Sequence, residues 1–304
     1  MRTLKVEIDE EGMALERFVS RHLPRMAKTI FSAYVNAGKI WINGNPAKTG
    51  KEILRQRDTV GFAVDERYFA KEQRPAAPRI EIVYEDDRLI VANKPEGMLS
   101  HPDSKLKEPD LLSALRRQKK AEDSDLSVVN RLDFNTTGLI LVAKDVDSAR
   151  LLGEATSNGW IRKFYRCLSY GYWDIPEAEL HAYLLKDEAS AIVRISPVPI
   201  PKAQEIVTKY RVLEEGNGLS LLEIELMTGK THQIRAHLAS LDHPVLGDPL
   251  YGHEILNRRY GVKRQALWAS KLIFDVPDPE NPLAYLSRKT IEKDERHWYE
   301  LLRK

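Results

Sequence analysis

Strand-like segments dominate the chain beyond residue 80 and constrain its fold more than any other feature. They are rich in β-branched, aromatic and leucine residues and span 80–94, 137–145, 163–173, 205–215 and 219–229. Clear helical periodicity is limited to 146–159 and 231–244. Because strands outnumber helices, the sequence predicts an α+β domain on a mixed, largely antiparallel sheet, and not a parallel doubly wound one. The charged segment 103–127 is expected to form an exposed helix and loop.

A smaller module with a different pattern precedes this domain. Apolar residues recur at helical spacing in 15–23 and again in 28–38. Asn43-Gly44, between extended residues, favours a tight hairpin turn, and the alternation in 58–65 indicates one more strand. The module is therefore predicted to be two helices packed on a small sheet.

The length of 304 residues exceeds what one hydrophobic core usually serves, so two domains of unequal size are expected. Residues 68–79 mix charges with two prolines and follow no regular period, as a linker does. We place the first domain at 1–70, the linker at 71–79 and the second domain at 80–304.

Positive charge is concentrated in the small module, although the net charge of the chain is only +2. Nine basic residues and two acidic ones lie between Ala14 and Arg57. Such an excess favours binding of a polyanion through its phosphates. The alternative is a helical face that is merely solvated.

Composition excludes several classes of protein. With 42% hydrophobic and 30% charged residues the chain should fold. The first residues carry both signs of charge, and no apolar run reaches the ~18 residues of a membrane span, so we expect neither secretion nor a membrane contact. The single cysteine, Cys167, cannot form an internal disulfide, which fits a cytoplasmic protein.

The familiar motifs for metals, nucleotides and serine nucleophiles are missing from the sequence. His232 and His237 are five residues apart on a predicted helix, so their side chains diverge instead of sharing one face. Cys167 lies in an apolar strand-like stretch that suits a buried side chain better than a nucleophile. No cofactor is expected.

Carboxylate chemistry in a cationic setting remains. Asp133 follows Arg131 in a predicted loop just before a buried strand, a position that suits the floor of a cleft. On these residues alone, an aspartate that caps a turn is the favoured interpretation. A second cluster, with four polar or cationic residues, joins a strand to a helix. A cleft edge explains it better than a capped helix with a polar face. Its members are Lys230, His232, Gln233 and Arg235.

Four sequence blocks in order resemble the RluA family of pseudouridine synthases. The blocks are "NKPEGMLSHP" at 93–102, "NRLDFNTTGLILVAKD" at 130–145, "KFYRCLSYG" at 163–171 and "LMTGKTHQIRAHLASLDHPVLGDPLYG" at 226–252. Residues 13–65 resemble the small alpha-L RNA-binding domain named after a small-subunit ribosomal protein. The two resemblances imply an RNA-modifying isomerase preceded by an RNA-binding domain.

The RluA resemblance assigns roles to individual residues. Asp133 matches the essential aspartate, acting as a nucleophile or charge-balancing carboxylate while uracil leaves its ribose and rejoins through carbon five. Arg235 matches the arginine that pairs with it. Tyr165 matches the aromatic that stacks on uracil and helps to remove the proton from carbon five. Arg131 matches the residue that fills the space left by the extruded uridine or grips phosphate.

The alpha-L resemblance points to Arg25, Lys28 and Lys39 as contacts with RNA. The expected partner is structured RNA, ribosomal RNA of the large subunit ahead of transfer RNA, and we expect a monomer with no protein partner. A non-catalytic RNA-binding or chaperone protein on the same fold is an alternative. An unrelated hydrolase is disfavoured because no second carboxylate is placed beside Asp133.

Several residues depart from the RluA pattern. Asn130 and Trp268 each replace a histidine, and Phe134 and Asn135 replace a basic-acidic pair. None of these changes removes the aspartate, tyrosine or arginine. They affect positions where RNA would approach, so they bear on the choice of substrate.

Overall fold

The computed structural model describes residues 2–23, 26–65, 68, 79–103, 108–120, 125–187 and 192–303. The chain divides into two compact units, Met1–Ala77 and Pro78–Lys304. Most of the segment predicted to be the linker falls outside the described residues.

The first unit contains the two predicted helices and a four-stranded sheet, of which the sequence predicted three strands but not the first. The helices are α1 (Leu15–His22) and α2 (Lys28–Asn36). The strands are β1 (Arg2–Lys5), β2 (Ile40–Ile42), β3 (Asn45–Pro46) and β4 (Thr59–Phe62), in the order β1-β4-β2-β3. A short 3₁₀ helix covers Ile8–Glu10. The apolar faces of both helices and the sheet share one core that includes Phe18, Phe31 and Phe62.

The predicted hairpin joins β2 and β3. Asn43 and Gly44 have φ angles of 51° and 83°, the left-handed values that a two-residue turn between antiparallel strands requires. Asparagine and glycine adopt this region at the lowest cost, which explains why the pair fixed the turn from sequence.

The second unit is built on an eleven-stranded sheet. Its strands are β5 (Glu81–Glu85), β6 (Leu89–Lys94), β7 (Ser127–Val128), β8 (Thr137–Ala143), β9 (Ile161–Tyr170), β10 (Glu177–Lys186), β11 (Val193–Ser196), β12 (Gln204–Gly216), β13 (Leu219–Leu226), β14 (Leu267–Phe274) and β15 (Thr290–Glu292). The main order is β11-β10-β12-β13-β9-β14-β8-β6-β5, with β15 beside β14 and β7 beside β8. All of these neighbours pair antiparallel except β14 and β8, which confirms the predicted class of sheet.

Helices of the second unit are short. They are α3 (Leu111–Gln118), α4 (Val146–Ser157), α5 (Gln233–Ala239) and α6 (Glu254–Arg259), with 3₁₀ turns at Ala284–Leu286 and Arg296–Leu302. No helix in the described ranges is both long and apolar enough to cross a membrane.

The prediction that 103–127 forms an exposed helix is wrong for α3. Leu111, Leu112, Ala114 and Leu115 are buried, and the charge run begins only in the last turn of the helix, at Arg116 and Arg117. An apolar stripe at helical spacing was present, but the adjacent charges obscured it. Residues 104–107 and 121–124 lie outside the described part of the chain.

The parallel pair β8 and β14 positions the loop that carries Asp133. Trp268 lies opposite Thr137, and Ala269 lies opposite Gly138. Gly138 has φ of 101°, and a Cβ at this position would collide with the carbonyl oxygen of Ala269. Only glycine fits here, so the loop enters β8 with little freedom.

Candidate active site

A pocket of about 630 Å³ opens in the second unit. Its walls include the loop 128–134, Lys163 and Tyr165 on β9, and the segment 229–235 that leads into α5. These segments are far apart in sequence, and the pairing of the sheet strands brings them together. The pocket contains the predicted residues Arg131, Asp133, Tyr165 and Arg235.

Arg235 binds two carboxylates at once. Its Nη1 donates to Oδ2 of Asp133 at 2.9 Å. Its Nε and Nη2 donate to Oδ2 and Oδ1 of Asp248 at 2.6 and 2.9 Å. The Asp248 and Arg235 side chains are 0% and 4% exposed, whereas Asp133 is 26% exposed. The bidentate pair with Asp248 therefore fixes the guanidinium, and the remaining nitrogen holds Asp133 at the solvent side.

Asp248 is a member of the site that sequence reasoning missed. It also accepts hydrogen bonds from the backbone N–H groups of Leu250 and Tyr251, at 2.8 and 3.0 Å. Burial opposes the charge of Arg235, but the bonds to Asp248 and Asp133 outweigh it and raise the pKa of the guanidinium. Asp248 lies inside the fourth motif block, the one signal that could have identified it.

The side chain of Asp133 does not cap a turn. The backbone carbonyl of Asp133, and not its carboxylate, accepts the N–H of Thr136 at 3.0 Å. Among the described residues, Oδ1 of Asp133 has no hydrogen-bond partner, and Oδ2 is bound by Arg235. One carboxylate oxygen is thus anchored while the other is available to a ligand.

The side chains of Ser100 and Lys94 hold the loop of Asp133 through hydrogen bonds to its backbone. Ser100 and Leu132 exchange hydrogen bonds of 2.9 and 3.0 Å through the serine hydroxyl. Lys94, at the end of β6, is fully buried and donates to the carbonyls of Pro95, Met98 and Phe134.

Lys94 is the second residue that sequence reasoning missed. Burial lowers the pKa of its ammonium to about 7, against the opposing effect of Asp133 and Glu96. Its signal was a lysine at the end of an apolar strand, inside the first motif block. Its position makes it a support for the loop, since its ammonium is directed at backbone carbonyls.

Tyr165 is 6% exposed and contributes to the pocket wall from β9. Burial, followed by the negative charge of Asp133, raises the pKa of its hydroxyl. The phenol therefore keeps its proton at neutral pH and offers an aromatic face beside the carboxylate.

The cluster predicted at 230–235 divides between the pocket and the protein interior. Nδ1 of His232 lies 3.0 Å from the Tyr251 hydroxyl, and its Nε2 lies 4.0 Å from Asp133. Gln233 is buried, and its side-chain amide binds the backbone of Val207 and Lys230. Gln233 is therefore structural, whereas Arg235 and His232 face Asp133.

The four residues predicted to bind RNA differ in their surroundings. Arg131 is exposed at the pocket wall. In the first unit, the exposed Lys28 lies 3.4 Å from Glu16, and Nζ of Lys39 lies 5.3 Å from the ring of Tyr34. Arg25 lies outside the described residues.

Within the described ranges, no group of three or more histidine, cysteine or acidic side chains could hold a metal ion.

This chain matches the family model for RNA pseudouridylate synthase over residues 88–240, half of its length. It is 30% identical over 295 residues to ribosomal large subunit pseudouridine synthase C of Vibrio cholerae, covering 91% of this chain and 90% of the relative. Over 306 residues it is 29% identical to ribosomal large subunit pseudouridine synthase D of Xanthomonas campestris, covering 93% and 87%. The chain belongs to the RNA pseudouridylate synthase family.

A solved structure shares the fold. Human RNA pseudouridylate synthase domain containing 4 superposes with a TM-score of 0.58 at 24% identity, over 73% of this chain and 91% of that one. The RluA resemblance, the fold class and the assignment as an isomerase acting on RNA are thus confirmed.

Proposed function

We propose that the protein converts uridine to pseudouridine in large-subunit ribosomal RNA and that Asp133 is the catalytic carboxylate. The names of the relatives from Vibrio cholerae and Xanthomonas campestris support this choice of RNA. The observation that carries the catalytic assignment is the half-anchored carboxylate. Oδ2 of Asp133 accepts from Arg235, and the partly exposed carboxylate faces a pocket large enough for a base and ribose.

The chemistry requires a carboxylate that stays charged and does not move. Arg235 provides both conditions, because its own orientation is fixed by the buried Asp248. Asp133 then attacks or stabilises the electron-poor group formed when uracil separates from ribose. The same uracil rotates and rejoins through carbon five, so no net redox change or energy input is needed.

Tyr165 and Arg131 act on the base and on the surrounding RNA. The Tyr165 ring stacks on the uracil, and its protonated hydroxyl makes it a hydrogen-bond donor in the resting site. Removal of the proton from carbon five would need a phenolate, which the raised pKa disfavours. Arg131, exposed at the wall, fills the space left by the extruded uridine or binds a phosphate.

Release of tritium tests the reaction directly. Unmodified large-subunit ribosomal RNA is transcribed with uridine tritiated at carbon five and incubated with the wild type, Asp133→Asn and the control Asp174→Asn. Asp174 is exposed, so its variant should match the wild type. Asp133→Asn should release no tritium, and release at the wild-type rate would refute the assignment.

The same assay separates the alternatives. Transfer RNA transcripts labelled in the same way should release no tritium, and exclusive release from them would move the target to transfer RNA. A deletion strain tests the non-catalytic alternative. If Asp133→Asn restores that strain in full, the essential role of the protein is RNA binding without turnover.

The first unit supplies affinity for RNA in this proposal, as an alpha-L domain over residues 1–70. Its local excess of basic residues supports the role. Replacing Arg25, Lys28 and Lys39 together with glutamine should weaken RNA binding and flatten its salt dependence, while kcat at saturating RNA is unchanged. An unchanged salt slope would refute this division of labour.

A further inference from the structure

Among the described residues, Lys163 is a cation in the pocket wall without a partner. It lies two residues before Tyr165 on β9, and since side chains alternate along a strand, both project from the same face of the sheet. Both contribute to the pocket. Within the part of the chain that the structure describes, the Lys163 ammonium forms no hydrogen bond and no ion pair, and desolvation alone accounts for its lowered pKa.

An unpaired, partly buried ammonium lowers the folding free energy gained by the protein, because no hydrogen bond or opposite charge replaces the water molecules that the ammonium loses on burial. The neighbouring cation Arg162 differs in this respect, since its Nε donates to Glu225 at 2.7 Å. Lys271, also near β9, lies 3.2 Å from Glu223. The free ammonium of Lys163 is therefore specific to the pocket side of the strand.

The charge of the pocket identifies the class of ligand. Apart from histidines, its wall contains more cations than carboxylates. The charged residues of the wall are Arg131, Lys163, Lys230, Arg235, Asp103 and Asp133. Arg235 is already neutralised by Asp133 and Asp248. The cationic excess suits an anion better than a neutral carbonyl oxygen of uracil, which would leave the Lys163 charge uncompensated.

The geometry of β9 places an anion bound at Lys163 close to a base stacked on Tyr165. Residues i and i+2 on one face are about 7 Å apart, so an RNA with its uracil on Tyr165 brings backbone phosphate within reach of residue 163. We propose that Lys163 binds a backbone phosphate of the target nucleotide or its neighbour and thereby strengthens the binding of the RNA whose uridine enters the pocket. This inference rests on the proposed function and makes Lys163 a binding residue for the RNA backbone.

Steady-state kinetics at several KCl concentrations test the phosphate contact. The probe is the tritiated large-subunit ribosomal RNA transcript, and the proteins are the wild type, Lys163→Met, Lys163→Arg and Arg162→Met. Lys163→Met should raise KM about tenfold at low salt, as loss of a charge-assisted bond does, with kcat within about twofold of wild type. Its slope of log(kcat/KM) against log[KCl] should be about 0.7 less steep, the effect of one lost phosphate contact on single-stranded RNA.

The two control variants separate a local contact from a general loss of charge. Lys163→Arg should restore KM and the salt slope. Arg162→Met removes a charge from the opposite face of the same strand and should leave the slope unchanged. A wild-type slope for Lys163→Met would overturn the proposal, as would a fall in kcat alone.

Thermal unfolding guards against a purely structural explanation. Lys163→Met should melt at or above the Tm of the wild type, because it removes an uncompensated cation and keeps the apolar stem. A lower Tm would reveal a structural partner and overturn the proposal. If the wild type releases no tritium, the proposed function fails, and filter binding of the same transcript still tests the phosphate contact through its salt slope.

Discussion

Replacing Asp248 with asparagine should destabilise the protein more than the same change at Asp133. Asp248 is fully buried and accepts four hydrogen bonds, two from Arg235 and two from backbone N–H groups. An amide oxygen in the position of Oδ1 keeps three of them. The amide nitrogen then faces the Nε–H of Arg235. Two hydrogen-bond donors thus oppose each other, and the 2.6 Å bond from Nε to Oδ2 is lost.

The magnitude follows from what remains unpaired. Breaking one side of a buried ion pair costs about 3 kcal/mol, or on the order of a hundredfold in the folding equilibrium. At Asp133 the carboxylate is 26% exposed and accepts a single bond from Arg235, which keeps Asp248 as its partner. The cost of Asp133→Asn should therefore stay below about 1 kcal/mol.

Urea denaturation followed by tryptophan fluorescence measures both costs, since four of the five tryptophans lie in the second unit. Asp174→Asn provides the baseline for an exposed aspartate. In the tritium assay Asp133→Asn should be the more severe substitution, because it should abolish release. Asp248→Asn should only reduce kcat, since Arg235 would be held less firmly. A loss of stability for Asp248→Asn equal to or smaller than that for Asp133→Asn would refute the anchoring role.

Three further predictions concern single positions. Gly138→Ala should cost roughly 2 kcal/mol and lower Tm, because the methyl group meets the Ala269 carbonyl at a φ that disfavours side chains. Burial lowers the pKa of Lys94 from 10.5 to about 7, so the unfolded chain binds the extra proton between these values. Unfolding free energy should thus rise with pH from 7 to 10 relative to Lys94→Met, and parallel curves would contradict it. Burial raises the pKa of the Cys167 thiol, so iodoacetamide should modify it only after unfolding, as mass spectrometry can show.

Local patterns in the sequence determined the elements that depend on few residues. The turn at Asn43-Gly44 follows from backbone sterics alone. Helix α4 was predicted from periodicity, and its start is fixed by Asp145, which accepts the N–H of Ser148 at 2.7 Å. Alternation and apolar runs predicted six strands of the large sheet, β5, β6, β8, β9, β12 and β13, but not β7, β10, β11, β14 or β15. The ordered motif blocks identified the family and singled out Asp133.

Only the tertiary structure decided how the site is held together. Asp133 and Arg235 are 102 residues apart, and their 2.9 Å contact depends on the order and register of the sheet strands. No local pattern indicates that Asp248 is the buried partner of Arg235, or that the ammonium of Lys94 reaches the Phe134 carbonyl. Sequence periodicity records which face of an element is apolar, whereas the pairing of buried charges depends on which distant elements share that face.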